Sequence, residues 1–403
     1  MTLRHLIART RDRPMKISAP ELVHAEGNIT YRVAVESATG SRPLWFSLSE
    51  QYRDLVSDRA DGALVARLFP AMTRGEDIHV AGILSERLYY NLSGRCQALL
   101  QSLDPTLKTI KIHAQHLTST PPKSAGVAMG FSGGVDSFCA LVDHCPRYNP
   151  TVAPSYAITH LLYNNVGSHG SGGKELFLNR YHALQPFISS LGLPFIAINS
   201  NAGEFYDGLP FAKVHTVLNT AVPLVLQQGI GVFLFASALL YASISSSGTG
   251  GTAKIDPMLL PLLSTENLDA VSVGCEYTRA EKVLRLTEVP DTYTRLDVCC
   301  SSHKQGGNCS QCDKCLWSMV ALEAIGALEH YADQFNLERY RQIRDRYLPE
   351  ILLKDHPRSD DLLDLAASQN YTFPRKARLF AHIPLFLQGR QIVRHLRDRL
   401  RRK

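Results

Sequence analysis

An α/β fold with a doubly wound parallel sheet is what this sequence predicts. A β-rich N-terminal domain precedes the sheet and a helical C-terminal region follows it. Three observations carry the prediction. Between Gly126 and about Val298, short apolar strand-like runs alternate with longer helical stretches, the spacing of a parallel sheet wound with helices. Residues 130–137, GFSGGVDS, set adjacent glycines between a candidate strand and a candidate helix, where a parallel sheet presents helix N-termini to anions. Five of the nine cysteines lie between Cys299 and Cys315, a density that reads as a metal site rather than a disulfide framework.

The elements follow in chain order. Residues 1–120 form the N-terminal domain, with strand candidates at Ile29–Val35, Leu44–Leu48, Ala63–Leu68, Ile78–Ala81 and Thr109–His113. Turn-rich stretches such as ATGSRP and TRGED punctuate them. The Pro/Ser stretch TSTPPKS leads into the second domain, residues 121–298. Its strand candidates are Gly126–Gly130, Ala157–Tyr163, Pro194–Asn199, Gly231–Ala236 and Ala270–Val273, with helices over Lys174–Leu191 and Lys213–Gln228. Ser243–Lys254 is a Ser/Gly-rich loop. Residues 299–403 hold the cysteine cluster and then read as helix to the end.

Composition narrows the function classes. The chain has 403 residues and is 45% hydrophobic, enough for more than one domain and a sizeable core. No apolar run approaches the ~20 residues of a membrane span. Met1-Thr2-Leu3-Arg4-His5 opens no secretory pattern, so a cytoplasmic location is expected. Arg390, Arg394, Arg397, Arg399, Arg401, Arg402 and Lys403 oppose the single acid Asp398, and this tail carries the whole formal charge of +6. It reads as a solvated helix end or as a contact for nucleic acid or an acidic partner, while the body is not a nucleic-acid-like surface.

The GFSGGVDS stretch is a phosphate cradle of a particular kind. It lacks the lysine of the Walker A loop and the spacing of the dinucleotide fingerprint. Gly133 and Gly134 let successive N–H groups aim at one anion, and Ser132 and Ser137 add hydroxyls. Asp136 tolerates a phosphate only across a cation, most simply Mg²⁺. Ser132-Gly133-Gly134-Val135-Asp136-Ser137 resembles the SGGxDS motif of the PP-loop ATP pyrophosphatase superfamily. The resemblance implies a doubly wound sheet of the HUP/PP-loop type and cleavage of ATP to AMP and pyrophosphate, with pyrophosphate held by Ser132, Gly133, Gly134, Val135, Asp136 and Ser137. It places the adenine over the second strand, at Leu162 and Tyr163. It also sets Ser237, after the fourth strand, near the phosphates. In Gly167–Lys174, His169 and Lys174 are candidates to face the α-phosphate or the substrate, His169 reading otherwise as a surface loop residue. Arg279 and Lys282, three residues apart, can share a helix face, either neutralising a pentavalent phosphorus or pairing on the surface with Glu276 and Glu281.

Cys309, Cys312 and Cys315 follow a C-x2-C-x2-C spacing, and Cys300 completes a four-thiolate set suited to structural zinc. Cys299 is the alternative fourth ligand and His303 a weaker one; a [4Fe–4S] cluster is the rival occupant. The order of loop and cysteines is similar to that of the 7-cyano-7-deazaguanine synthase family, of which this chain resembles a longer paralogue over about residues 125–325. The resemblance implies an ATP-dependent ligase that adenylates a carboxylate or amide, with a 7-deazaguanine as a candidate substrate, for attack by a nitrogen nucleophile. Paralogues of this size stand beside antiphage defence and biosynthetic genes, and some are thought to modify a protein. Two alternatives stay open: thiolation of a tRNA base or small acid, with Cys139 and Cys275 as loose thiols, and a non-catalytic nucleotide-binding subunit.

Overall fold

The computed structural model describes residues 14–120, 124–170, 173–206, 208–247, 250–299, 307–354, 356 and 358–381. The basic tail therefore lies outside the described residues. The chain divides into two compact units, Met1–Ser132 with Asp136–Glu276, and Gly133–Val135 with Tyr277–Lys403.

The first unit is organised by one eleven-stranded sheet. Its strands are β1 (Met15–Ile17), β2 (Glu21–Ala25), β3 (Asn28–Ser37), β4 (Gly40–Ser49), β5 (Ile78–Ser85), β6 (Ile112–Thr118), β7 (Gly126–Gly130), β8 (His160–Asn165), β9 (Phe195–Ser200), β10 (Ile230–Ala236) and β11 (Asp269–Val273). They lie in the order β11-β10-β7-β8-β9-β4-β3-β1-β5-β6, with β2 also on β3. The run β11-β10-β7-β8-β9 is parallel throughout. From β7 the chain first steps to β8 and β9, then returns to β10 and β11 on the other side. The order reverses between β7 and β10, and such a reversal opens a crevice at the carboxyl ends of the two strands.

The sheet does not stop at the expected border near residue 120. β4 pairs antiparallel with β9 through Phe46↔Ser200 and Ser47↔Asn199, which covers an edge that β9 would otherwise expose. One apolar core runs through both regions and includes Met15, Phe46, Leu64, Ile196, Val217 and Leu260.

The strand expected at Ala63–Leu68 is instead part of a helix, α1 (Asp61–Arg74). Every residue from Asp61 to Met72 is buried, so the helix is enclosed on every side, has no solvent-facing polar stripe, and shows neither period clearly. It ends on Gly75 at φ 75°, the left-handed position that glycine adopts without strain. Gly62 lets α1 approach α6 (Phe211–Val225): a Cβ there would stand 2.7 Å from Val225 Cγ2 and 2.8 Å from the Ala221 carbonyl oxygen. Helices α2 (Glu86–Leu92) and α3 (Arg95–Leu103) make the N-terminal region mixed rather than purely β. The remaining helices of the parallel part are α4 (Val135–His144), α5 (Gly173–Ser190) and α7 (Asp256–Leu259).

The second unit is helical, with α8 (Arg279–Thr287), α9 (Asp313–Ile325), α10 (Leu337–Leu352), α11 (Ser359–Ser368) and α12 (Arg375–Ala381). Trp317, Tyr331, Tyr340, Leu348 and Leu362 fill its core. A capping box between Thr278 and Glu281 starts α8, and Asp361 of α11 accepts the Ala280 N–H at 3.1 Å. No helix among the described residues is long and apolar enough to cross a membrane.

Candidate functional site: a glycine loop and a four-thiol cluster

The loop after β7 has the local geometry its sequence implies. Phe131 N–H donates to the Leu162 carbonyl at 2.8 Å and carries the β7–β8 ladder one residue past the strand. Gly133 then turns at φ 74°, and α4 begins two residues later at Val135. The Ser137 hydroxyl reaches back across the turn and stands 3.4 Å from both the backbone N and the hydroxyl of Ser132. Ser137 is buried, Asp136 and Gly134 are half-buried, and Ser132 is exposed. Val135 is buried in the first turn of α4. Within the second unit, the Asp297 N–H donates to the Gly133 carbonyl at 2.8 Å. The stretch sets a tight turn, a helix N-terminus, two hydroxyls and the Asp136 carboxylate within six residues, groups suited to an anion and its counter-cation.

At the end of β8 the picture is more specific than the sequence allowed. Leu162 is opposite Gly130 in β7 and Ile196 in β9, and Tyr163 is opposite Ala197. Among the described residues the β7 pairing ends at Leu162, so the edge of Tyr163–Asn165 toward β7 carries no ladder. The Tyr163 side chain points into the core, stacked on Phe177 at 5.3 Å. His169 is buried rather than on the surface. Its Nε2 is 3.2 Å from the Tyr163 hydroxyl and its Nδ1 3.0 Å from the Ser168 hydroxyl. Burial, with Arg180 nearby, pushes its pKa down to about 4. His169 is therefore neutral near pH 7 and offers no charge to a phosphate. Lys174 is exposed in the first turn of α5.

Ser237 directly follows β10 and is fully buried, its N–H donating to the Val273 carbonyl at 2.9 Å. It stands beside a carboxylate the sequence did not advertise. Asp256, the first residue of α7, is also fully buried. The Thr216 hydroxyl donates to its Oδ1 at 2.6 Å. Its Oδ2 makes no hydrogen bond of good geometry, although the Ser237 hydroxyl offsets part of the burial cost. Burial dominates and raises the pKa to about 7. Only the Asp-Pro pair at a helix start hinted at this residue, and nothing in the sequence marked it as buried.

Arg279 belongs to the second unit, where it opens α8 half-buried. Lys282 is 1% exposed, so it is not a surface cation. Arg285 lays its guanidinium over the Tyr277 ring at 4.5 Å.

The thiols converge. Among the described residues, Cys299, Cys309, Cys312 and Cys315 bring their sulfurs within 4.8 Å of one another. Individual separations are 4.0 Å for Cys299–Cys312, 3.9 Å for Cys309–Cys315 and 3.5 Å for Cys312–Cys315. Four sulfurs at ~2.3 Å from a tetrahedral zinc stand about 3.8 Å apart. The site therefore fits one metal ion of zinc's size. Cys300 and His303, weighed as ligands from the sequence, lie outside the described residues.

Local structure explains the convergence. Ser310 takes φ 57°, and this turn lets the Cys312 N–H donate to the Cys309 sulfur at 3.3 Å. Cys312 caps α9, and Cys315 sits in its first turn, where the helix end favours thiolate. Asn308 ties the two arms together: its Oδ1 accepts the Val298 N–H at 2.9 Å and its Nδ2 donates to the Leu296 carbonyl at 2.7 Å. Hydrogen bonding from Cys315 pushes the Cys312 pKa down to about 5, while the Cys315 thiol moves up. Next to Cys312, Asp313 receives His356 at 3.1 Å and the Tyr347 hydroxyl at 3.2 Å, and the imidazole holds its carboxyl below the usual range.

Fold and site together define an α/β protein with a large, mostly parallel sheet and a four-cysteine group able to hold a metal ion. No family model, no curated protein and no solved structure matches the chain.

Proposed function

We propose that the protein is an ATP-dependent adenylating enzyme of the PP-loop kind, with a structural zinc ion at its four thiols. The carrying observation is the Ser132–Ser137 loop, which joins β7 to α4 beside the β7/β10 reversal of the sheet. Ligands of open α/β sheets bind at such reversals.

In this reading a carboxylate or amide oxygen attacks the α-phosphorus of ATP, and the bond to the β-phosphate oxygen breaks. Pyrophosphate leaves into the loop of Ser132, Gly133, Gly134, Val135, Asp136 and Ser137, where Asp136 would hold a Mg²⁺ ion that would neutralise phosphate charge. The open edge of β8 beyond Leu162 suits the adenine. Ser237 borders the phosphates. Ammonia or an amine then attacks the activated carbon, AMP leaves, and the nitrogen loses a proton. Lys174 is the candidate cation of the first unit for the developing negative charge. The protein's contribution is positioning and electrostatics rather than covalent chemistry. Burial of Cys139 and Cys275 weighs against a sulfur-transfer route, which wants an accessible thiolate.

A 7-deazaguanine carboxylate is the substrate class to test first, in free form or on a protein. Incubation with ATP, Mg²⁺, the acid and ammonia should yield AMP and pyrophosphate in step with product. ADP and inorganic phosphate as products would sink the α–β cleavage claim.

A further inference from the structure

The N-terminal region contains a buried cation, two of whose donor nitrogens have no partner among the described residues. Arg67 lies midway along α1 and is 2% exposed. Its Nε and Nη1 are shut off from solvent and make no hydrogen bond. The guanidinium carbon stands 4.1 Å from the centre of the Phe205 ring, and that of Arg42 stands 3.7 Å from the same centre. Two groups that close to one centroid fit only on opposite faces, so Phe205 is sandwiched between two cations. A guanidinium laid over a ring keeps its N–H groups in its own plane, pointing past the ring. The stacking therefore does not satisfy them.

The surroundings add positive charge. Burial lowers the Arg67 pKa most, Arg74 and Arg42 add repulsion, and only the Tyr206 hydroxyl and Glu76 raise it. Glu76 is already engaged by the Ala38 N–H at 2.9 Å and by Arg74 Nε at 2.8 Å. On the outer side, Arg42 is 44% exposed; its ion pair with the Glu204 carboxylate is 3.9 Å long, a weak surface contact, and its Nη2 donates to the Glu204 carbonyl at 2.8 Å. A buried guanidinium is stable when paired and hydrogen-bonded and costly when it is not.

Topology fixes where this cluster sits in the first unit. β4 runs antiparallel to β9, with Phe46 opposite Ser200, so Arg42 lies beyond the carboxyl end of β9. Phe205 follows that same end. Nearby, a Cβ on Gly203 would stand 2.7 Å from Gly167 Cα, which packs the segment after β9 against the loop after β8. The carboxyl ends of parallel strands are the ligand side of such a sheet.

We propose that Arg67 anchors an oxyanion-binding site, for a carboxylate or a phosphate, which the N-terminal region contributes at the carboxyl end of β9. The anion accepts from Arg67 Nε and Nη1, and it enters as Phe205 and Arg42 swing outward and Arg42 leaves Glu204. The site does not depend on the adenylation reading, because its argument uses neither the glycine loop nor ATP.

The test is the ¹⁵N-resolved Nε–H signal of Arg67 in the full chain, identified by its loss in Arg67→Met while the Arg42 signal near the same ring remains. Inorganic phosphate and acetate are titrated separately. A saturable shift with either supports the site and says which oxyanion it prefers. Binding at the glycine loop would leave this signal in place. A signal unmoved by both, or moved only in linear proportion to added salt, overturns the proposal. A second readout is Arg67→Met. The variant should melt no lower than wild type without ligand, since an uncompensated charge is removed, and should lose any anion-dependent rise in melting temperature. A variant that melts lower and keeps that rise would make Arg67 a packing residue only.

Discussion

Replacing Asp256 by asparagine should flatten the pH dependence of stability. The carboxyl is fully buried, one oxygen accepts from Thr216, and its pKa rises from 3.8 to about 7. The native state therefore keeps a proton that the unfolded chain has already released. Its stabilising contribution is complete below pH 3.8 and is lost as pH rises through about 7. Each unit of pH in that window is worth about 1.4 kcal/mol, so a rise from about pH 5 to about pH 7 costs on the order of 3 kcal/mol. Asparagine keeps the acceptor for Thr216, supplies a permanent donor where the acid carries its proton, and does not titrate. Urea unfolding of both proteins from about pH 5 to about pH 8 measures the effect through the midpoint and slope. The variant should gain on wild type as pH rises, by about 3 kcal/mol over the range. Parallel curves would show that Asp256 is ionised in the native state, and the argument from burial would fail.

Three further expectations follow from the same reasoning. His169 has a folded pKa of about 4 against 6.5, so as pH falls through that window the unfolded chain takes up the proton first and stability drops by about 3 kcal/mol; His169→Gln should remove most of that acid sensitivity in the same urea series. Gln227 is fully buried and joins Asp61 to Thr265, donating at 2.8 Å and accepting at 2.9 Å; Gln227→Ala orphans both partners and should cost about 2–4 kcal/mol, and a loss below about 0.5 kcal/mol would contradict the network. Cys312→Ser should lower zinc from about one ion per chain and depress the melting temperature, since metal binding and folding are coupled; elemental analysis and a melting curve check both, and a brown protein rich in iron would replace zinc with a cluster.

What the sequence disclosed was mostly local. β7, the glycine turn and the start of α4 were legible because two adjacent glycines between an apolar strand and a helix have few other uses. The C-x2-C-x2-C spacing was legible for a similar reason, since three sulfurs at that interval meet around one turn and one helix start. Which of the neighbours Cys299 and Cys300 joins them depends on the course of the chain through Asp297 and Asn308, and spacing is silent about that. Ala63–Leu68 read as a strand because a helix buried on every side loses its polar stripe. The pairing of β4 with β9 joins residues far apart in sequence, so the expected border near residue 120 fell inside a continuous sheet. The burial of Asp256, His169, Lys282 and Arg67 is likewise a property of tertiary packing, and their residue types suggested a surface.

The central claim is tested most directly by exchange of labelled pyrophosphate into ATP, with Mg²⁺ and a 7-deazaguanine carboxylate but no amine. The account predicts exchange that requires the acid, because the acyl-adenylate forms reversibly when no nucleophile can discharge it. Asp136→Ala and Ser132→Ala should abolish that exchange while leaving the melting curve intact. Exchange at the wild-type rate in either variant, or formation of ADP with no exchange at all, would contradict the assignment of the loop and of α–β cleavage.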